Sequence, residues 1–307
     1  MLSLSAHPFF LLRRPVLSLD DLEAFHTRCQ DADRFGAEIQ ELLRQPFFQA
    51  AISLASPDLY ENYLAWQKGA YRGDADKLLQ ALYRYLVRMS TRCTPFGLFA
   101  GVHVGSVESS TRFQFGDIPE SVQKARLDMN YVAELTEHLL GDRHIRQQLR
   151  YYPNSILYAV GDSYRYVESY TKDKKRHYML AAVGKTSYLD IVLRKAAAGA
   201  LPGELAALLV TDQITAEEAE DYIDQLITHQ LLVSEIEPLV TGDDMLERLI
   251  DRLRTLKGTD TYVSTLRRVE SLLREPIRSP AHFEAIVAPI EACFRRPSKK
   301  DLVQVDL

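Results

Sequence analysis

The sequence predicts an α+β chain in which helices and strands are mixed rather than segregated. Three observations lead there. Apolar residues follow a helical period over 75–90 and change to strand-like alternation just after Thr94-Pro95-Phe96-Gly97. Three strand-like runs between 155 and 183 are followed by three short helical patterns. The last residues, Val303, Val305 and Leu307, alternate with Gln304 and Asp306. The 307 residues correspond to about two ordinary domains. With 46% apolar and 26% charged residues they can bury a core, which excludes disorder and collagen-like repeats.

Taken in order, Phe9 to Ser18 is extended and leads into Asp20-Asp21-Leu22-Glu23, which places acid in a first helical turn. One or two helices are expected over 21–43 and a further helical turn over 46–55. Ser56-Pro57-Asp58 reads as an N-cap with Pro at the first helical position, opening 58–68. Gly73-Asp74 breaks the chain before a helix from Ala75 to about Ser90, with Leu78, Leu82, Tyr85 and Leu86 on its apolar face. Strands are expected over 98–107 and 111–115, a turn at Gly116-Asp117-Ile118-Pro119, and a helix over 129–140.

The runs 155–160, 164–170 and 176–183 then read as strands, joined by the Gly161-Asp162 hairpin signal and the basic turn Lys172-Asp173-Lys174-Lys175. Helices follow at 187–198, 203–209 and 215–231. The last opens on a Thr215-Ala216-Glu217-Glu218 capping box and carries Tyr222, Leu226 and Ile227 on its apolar face. Residues from about 150 to 236 therefore make a compact unit arranged as in a winged helix-turn-helix. The remainder to Pro297 is largely helical. The closing strand needs a hydrogen-bonding partner, which an earlier strand of the chain can supply. Ending on such a strand also suggests the N-terminal part of something longer.

Composition excludes several functions. The 37 Lys and Arg against 42 Asp and Glu leave a net charge of −5, so a nucleic acid would have to be held by a local patch. Cys29, Cys93 and Cys293 are too scattered for a disulfide framework or a zinc site, which fits a reducing cytoplasm. The apolar stretch Pro8 to Leu12 precedes Arg13 and Arg14, the reverse of a signal peptide. No run approaches the ~18 apolar residues of a membrane span. The sequence lacks GxSxG, Walker A, GxGxxG and HExxH patterns, and its histidines are scattered.

One region stands apart. Between Lys77 and Val107 there is no acidic residue, while Lys77, Arg84, Arg88 and Arg92 are present and the arginines recur every four positions. Spacing alone fits a solvated helix face as well as a phosphate- or carboxylate-binding stripe. The neighbouring Ser90, Thr91 and Thr94 favour an anion site. Cys93 reads more readily as a small buried apolar residue than as a nucleophile, since no histidine adjoins it in the sequence.

The fourteen residues Arg88-Met-Ser90-Thr91-Arg92-Cys93-Thr94-Pro95-Phe96-Gly97-Leu98-Phe99-Ala100-Gly101 resemble the R-x-S-x-R-x-T-P-F-G-L-F pattern of class I lanthipeptide (lantibiotic) dehydratases, in their N-terminal, glutamylation part. Pro8 to Arg13, Arg126-Leu127-Asp128, Tyr222 to Ile227 and Val303 to Leu307 match further landmarks in the same order, so the resemblance spans nearly the whole chain. It implies transfer of glutamate from glutamyl-tRNA to Ser and Thr side chains of a ribosomal precursor peptide, ahead of glutamate elimination to dehydroamino acids.

By that resemblance the glutamylation residues are Arg13, Arg88, Arg92, Thr94 and Asp306, with Asp128 secondary. Arg84 and Arg14 are expected to contact tRNA, although Arg14 replaces an uncharged residue of the pattern. Residues 1–149 and 237–307 are expected to form the glutamylation domain, truncated at its end. Residues 150–236 are the expected winged-helix element for the leader peptide, which adds as a strand beside 176–183, with Tyr178, Leu180, Tyr222 and Leu226 lining the groove. Glutamyl-tRNA is the co-substrate; no cofactor or metal is expected. Other expected partners are a cyclase of the same pathway and, for the complete protein, a second copy. The alternatives are a peptide aminoacyl-tRNA ligase of the same fold and a non-catalytic leader-docking module; the chain alone is expected to be inactive.

Overall fold

The chain begins with strand β1 (Phe9–Pro15), then α1 (Leu19–Arg28), a 3-10 turn at Ala32–Arg34, α2 (Phe35–Leu42), α3 (Pro46–Ala55), α4 (Pro57–Gln67) and α5 (Ala75–Thr91). β2 (Ala100–Ser106), β3 (Lys124–Leu127), α6 (Met129–Gly141) and α7 (Arg143–Arg146) follow. Next come β4 (Tyr151–Pro153), β5 (Tyr158–Val160), β6 (Ser163–Lys172), β7 (Lys175–Gly184), α8 (Ser187–Ala196), α9 (Pro202–Ala206), α10 (Ala216–Thr228) and β8 (Leu232–Ser234). α11 (Met245–Leu253), α12 (Asp260–Leu273), α13 (Pro280–Cys293) and β9 (Val303–Asp306) complete the order, so the expected mixed class holds. The structure, a computed structural model, describes residues 7–112, 122–172, 175–239, 241–242, 244–294 and 302–307. Of the expected features, residues 113–115 of a strand, the turn at 116–119 and Asp173-Lys174 of the basic turn lie outside the described residues.

Two compact units divide the chain, Met1–Tyr131 with Ser264–Leu307, and Val132–Val263. In the first, α1 opens on a reciprocal cap: the Asp21 N–H donates to Ser18 Oγ, and the Ser18 N–H donates to the Asp21 carboxylate at 2.8 Å. α5 opens on Asp74, whose carboxylate accepts from the Lys77 N–H, and buries Leu78, Leu82, Leu86 and Met89 along one side. Each such side chain contributes about 1.5–3 kcal/mol on burial, so this stripe fixes how α5 is rolled. Pro57 does start α4, but Ser56 makes no side-chain cap. It is at once the C-cap of α3, its N–H committed to the Ile52 carbonyl.

β1 and β2 pair antiparallel, with Arg13 opposite Val102 and Arg14 opposite Gly101. The closing strand β9 finds its partner in β3, with Arg126 opposite Gln304 and Lys124 opposite Asp306. A backbone bond joins the two ladders, the Val102 N–H donating to the Leu307 carbonyl at 2.9 Å. Gly101 permits this approach, since a Cβ there would lie 3.1 Å from the Leu307 carbonyl oxygen.

In the second unit β5, β6 and β7 form one antiparallel sheet in that order, and Gly161-Asp162 makes the two-residue turn between β5 and β6. α8, α9 and α10 follow, and α10 carries the Thr215–Glu218 capping box. α10 ends at Thr228, three residues before the pattern suggests, because Gln230 takes a left-handed φ of 57° and the Leu231 N–H turns back to the Leu226 carbonyl. The pairing of β4 with β8 has no counterpart in the sequence reading, since three residues per strand are too few to show alternation.

Candidate functional site

α5 stops where Arg92 adopts extended geometry, while the Arg92 N–H still donates to the Arg88 carbonyl. The loose helix end is tied down by the segment after β1: the Leu17 N–H donates to Met89 O at 2.9 Å and the Val16 N–H to Phe99 O at 3.0 Å. A tight turn follows, in which the Phe99 N–H donates to the Phe96 carbonyl and Gly97 supplies the required positive φ of 53°. Leu98 and Phe99 are fully buried and anchor that turn. Phe99 stacks with Tyr85 of α5, centroids 5.3 Å apart, and with Phe96 at 5.6 Å. The Arg88 guanidinium carbon sits over the Phe96 ring, 4.2 Å from its centroid.

Around this junction Arg84, Arg92 and Thr94 are exposed and Arg88 is half-buried. Only Arg84 and Arg88 share a helical stripe, because Arg92 is the C-cap and its backbone has left the helix. Arg13 and Arg14, as successive strand residues, take opposite faces of β1. Arg13 is exposed; Arg14 lines a cavity of about 1040 Å³ with Asp21, Phe25, Arg28, Glu38 and Phe48. Among the described residues no carboxylate pairs with Arg13, Arg84, Arg88 or Arg92, whereas Lys77 pairs with Asp74 at 3.5 Å.

Two expectations change here. The Ser90 hydroxyl donates to Leu86 O and the Thr91 hydroxyl to Val87 O, so these donors are spent inside the helix and Thr94 is the remaining one. Cys93 is exposed rather than buried, since the chain is already leaving the helix there; burial instead pushes the Cys293 thiol up to about 11. Asp306 stands 3.6 Å from Arg126 Nη2, and Arg126 Nε donates to Gln304 Oε1. Arg126 is a family landmark in the sequence and is not among the expected glutamylation residues; a cation and a carboxylate in two short alternating segments are the available signal for this pair. Asp128 caps α6, accepting from the Asn130 N–H at 2.8 Å. Val102 lies opposite Arg13, and its N–H donates to the carbonyl of Leu307, the residue after Asp306.

The second unit presents a different surface. β7 is an edge strand on which Tyr178 is 68% and Leu180 60% exposed, with Met179 exposed between them. Of the helix residues expected in the groove, Tyr222 is half-buried and Leu226, at 5% exposure, belongs to the core. The neighbouring Ile227 lines the opening instead. There a cavity of about 500 Å³ is bordered by Tyr178, Ile156, Val167, Ile227 and Gln230. Gln230 closes its base: its side-chain carbonyl accepts from the Ser169 N–H at 2.9 Å and its amide donates to Ser169 O at 2.7 Å. The Tyr151 hydroxyl also borders the cavity, buried and without a hydrogen-bond partner among the described residues, and burial pushes its pKa up.

Among the described residues no helix is long and apolar enough to cross a membrane, and no group of three or more His, Cys, Asp or Glu could hold a metal ion. The chain is 25% identical over 249 residues to the subtilin biosynthesis protein SpaB of Bacillus subtilis, covering 80% of this chain and 23% of that protein. It is 23% identical over 288 residues to the nisin biosynthesis protein NisB of Lactococcus lactis subsp. lactis, covering 89% and 26%. The chain thus spans about a quarter of the length of these curated relatives. Its fold is like that of the tRNA dependent lantibiotic dehydratase MibB from Microbispora sp. 107891, with a TM-score of 0.69 and 23% identity over 97% of this chain and 28% of that one. It is also like the TbtB glutamylation domain from thiomuracin biosynthesis, solved bound to 5'-phosphodesmethylglutamycin, with a TM-score of 0.55 and 16% identity over 93% of this chain and 36% of that one. The family model described as "Lantibiotic dehydratase, N terminus" matches residues 44–307, and the chain belongs to that family.

Proposed function

We propose that this chain is the N-terminal portion of a tRNA-dependent glutamyltransferase that acts in the cytoplasm on Ser and Thr side chains of a ribosomal precursor peptide. The observation that carries this reading is the α5–β2 junction, where arginines without carboxylate partners among the described residues accompany Thr94. Glutamyl-tRNA is already an activated ester, so no strong nucleophile is required. The peptide hydroxyl oxygen bonds to the glutamyl carbonyl carbon, the bond to the ribose oxygen breaks, and the hydroxyl proton passes to that ribose oxygen. The protein has to position the 3′ end, neutralise its phosphates and stabilise the oxyanion. Arg88 and Arg92 suit phosphate, Thr94 suits the oxyanion, and Arg13 and Asp306 complete the group; Arg84 and Arg14 extend the contact to tRNA. A net acidic protein can bind tRNA through such a local patch. Similarity to a protein named as a tRNA dependent dehydratase and to a glutamylation domain supports the same reading.

Residues 150–236 are read as a winged-helix element for the leader peptide, inserted in a glutamylation domain made of 1–149 and 237–307. The exposed edge of β7 also favours a second reading, in which this chain only docks the leader. In the complete protein, Arg88→Ala and Arg92→Ala should each abolish glutamylated peptide in mass spectra while leaving leader affinity unchanged. Undiminished product overturns the assignment of Arg88 and Arg92 to the site; leader affinity with no aminoacyl transfer by the unaltered complete protein overturns the transferase reading and leaves the docking one.

A further inference from the structure

We infer that Phe96 is a positioning residue that holds Arg88 for the tRNA backbone without neutralising it. The inference rests on the glutamylation reading. An arginine can be fixed by a carboxylate, but a carboxylate occupies the guanidinium fork and cancels the charge the site needs. Among the described residues Arg88 has no such partner, and its Nε is buried without a hydrogen bond there. What fixes it is a ring: its guanidinium carbon lies 4.2 Å from the Phe96 centroid. Phe96 is steadied in turn by stacking on Phe99, which is fully buried and stacks on Tyr85 one turn of α5 before Arg88. A cation on an aromatic face keeps its charge and leaves its N–H edges available to phosphate oxygens.

Phe96 is 42% exposed, and an exposed ring among arginines would ordinarily suggest a platform for a base. Here the ring face carries the guanidinium, which occupies the place a base would take. The Phe96–Phe99 turn, with Gly97 at positive φ, is what brings that face back over the last turn of α5.

The test is a double-mutant cycle on binding of deacylated tRNA for glutamate to the complete protein, with leader affinity as the check on folding. Phe96→Leu should weaken tRNA binding about threefold to thirtyfold, and Phe96→Trp, which keeps the π face, should retain it. In an Arg88→Ala background Phe96→Leu should cost nothing further. Equal loss in both backgrounds, or no loss in either, overturns the inference while the glutamylation reading stands. It also falls if Arg88→Ala abolishes glutamylation at unchanged tRNA affinity. If Arg88→Ala alters neither quantity, Arg88 leaves the site and the inference falls with it; the glutamylation reading itself falls if the unaltered complete protein forms no glutamylated peptide from glutamyl-tRNA.

Discussion

The arginine junction of the first unit and the β7–α10 groove of the second solve opposite problems. At the junction the task is to keep cations charged. Arg88 rests on Phe96, the end of α5 is tied to Val16 and Leu17 by backbone bonds, and no carboxylate reaches Arg84, Arg88 or Arg92 among the described residues. In the groove the task is to keep a strand edge open. Tyr178, Met179 and Leu180 stay exposed along β7, while Gln230 fastens the end of α10 to Ser169 of β6. An unpaired edge is ordinarily a liability in a folded protein, and unpaired arginines repel one another. On the proposed function each region keeps a cost that its ligand would relieve: a polyanion for the first, with a grip that would weaken with salt, and an extended peptide for the second, with a grip that would come from main-chain bonds.

The two regions should therefore fail separately. The largest effect on the groove is expected from proline on β7. Neighbouring strand residues send their N–H groups to opposite sides, so of Ala181→Pro and Ala182→Pro one removes a donor from the open edge and the other a donor from the β6 ladder. The first should weaken leader peptide affinity about tenfold or more with unchanged tRNA affinity, as isothermal titration would show. Unaltered leader binding in both variants would remove the groove from the comparison.

A smaller effect is expected at Gln230. Gln230→Ala loses all three bonds to Ser169 and keeps the left-handed backbone, so it should cost about 1–3 kcal/mol in urea unfolding, and Gln230→Gly less, because glycine accepts that φ freely. Equal losses would mean that the clamp, and not the backbone, dominates. The smallest concerns the first unit: Arg126→Ala removes an exposed pair with Asp306 and should change stability by less than about 1 kcal/mol. A larger loss of glutamylation than of stability in that variant would place Arg126 in the working site.

Much of this was legible residue by residue. The α5 stripe, the Thr215–Glu218 capping box, the Gly161-Asp162 turn and the acid-free stretch around Arg88 are all written within a few positions. The motif from Arg88 to Gly101 pointed to the family that the match over 44–307 then showed. Other features were misread for local reasons. Ser90 and Thr91 carry suitable hydroxyls, but a helix offers each a carbonyl four residues back. Leu226 and Ile227 are both apolar on one helix, and the pattern does not say which is covered.

The sequence by itself determined most of the elements, the Thr215–Glu218 cap, the family and the fact that Val303 to Asp306 must pair with something, because these depend on periods and contacts of a few residues. Only the tertiary structure decided that the partner is Lys124–Leu127, that Leu307 closes on Val102 beside Gly101, that Arg126 faces Asp306, and that Arg88 rides on Phe96. The physical reason is that a strand's demand for hydrogen bonds and an arginine's demand for support are local, whereas the group that meets each demand is chosen by how distant parts of the chain pack.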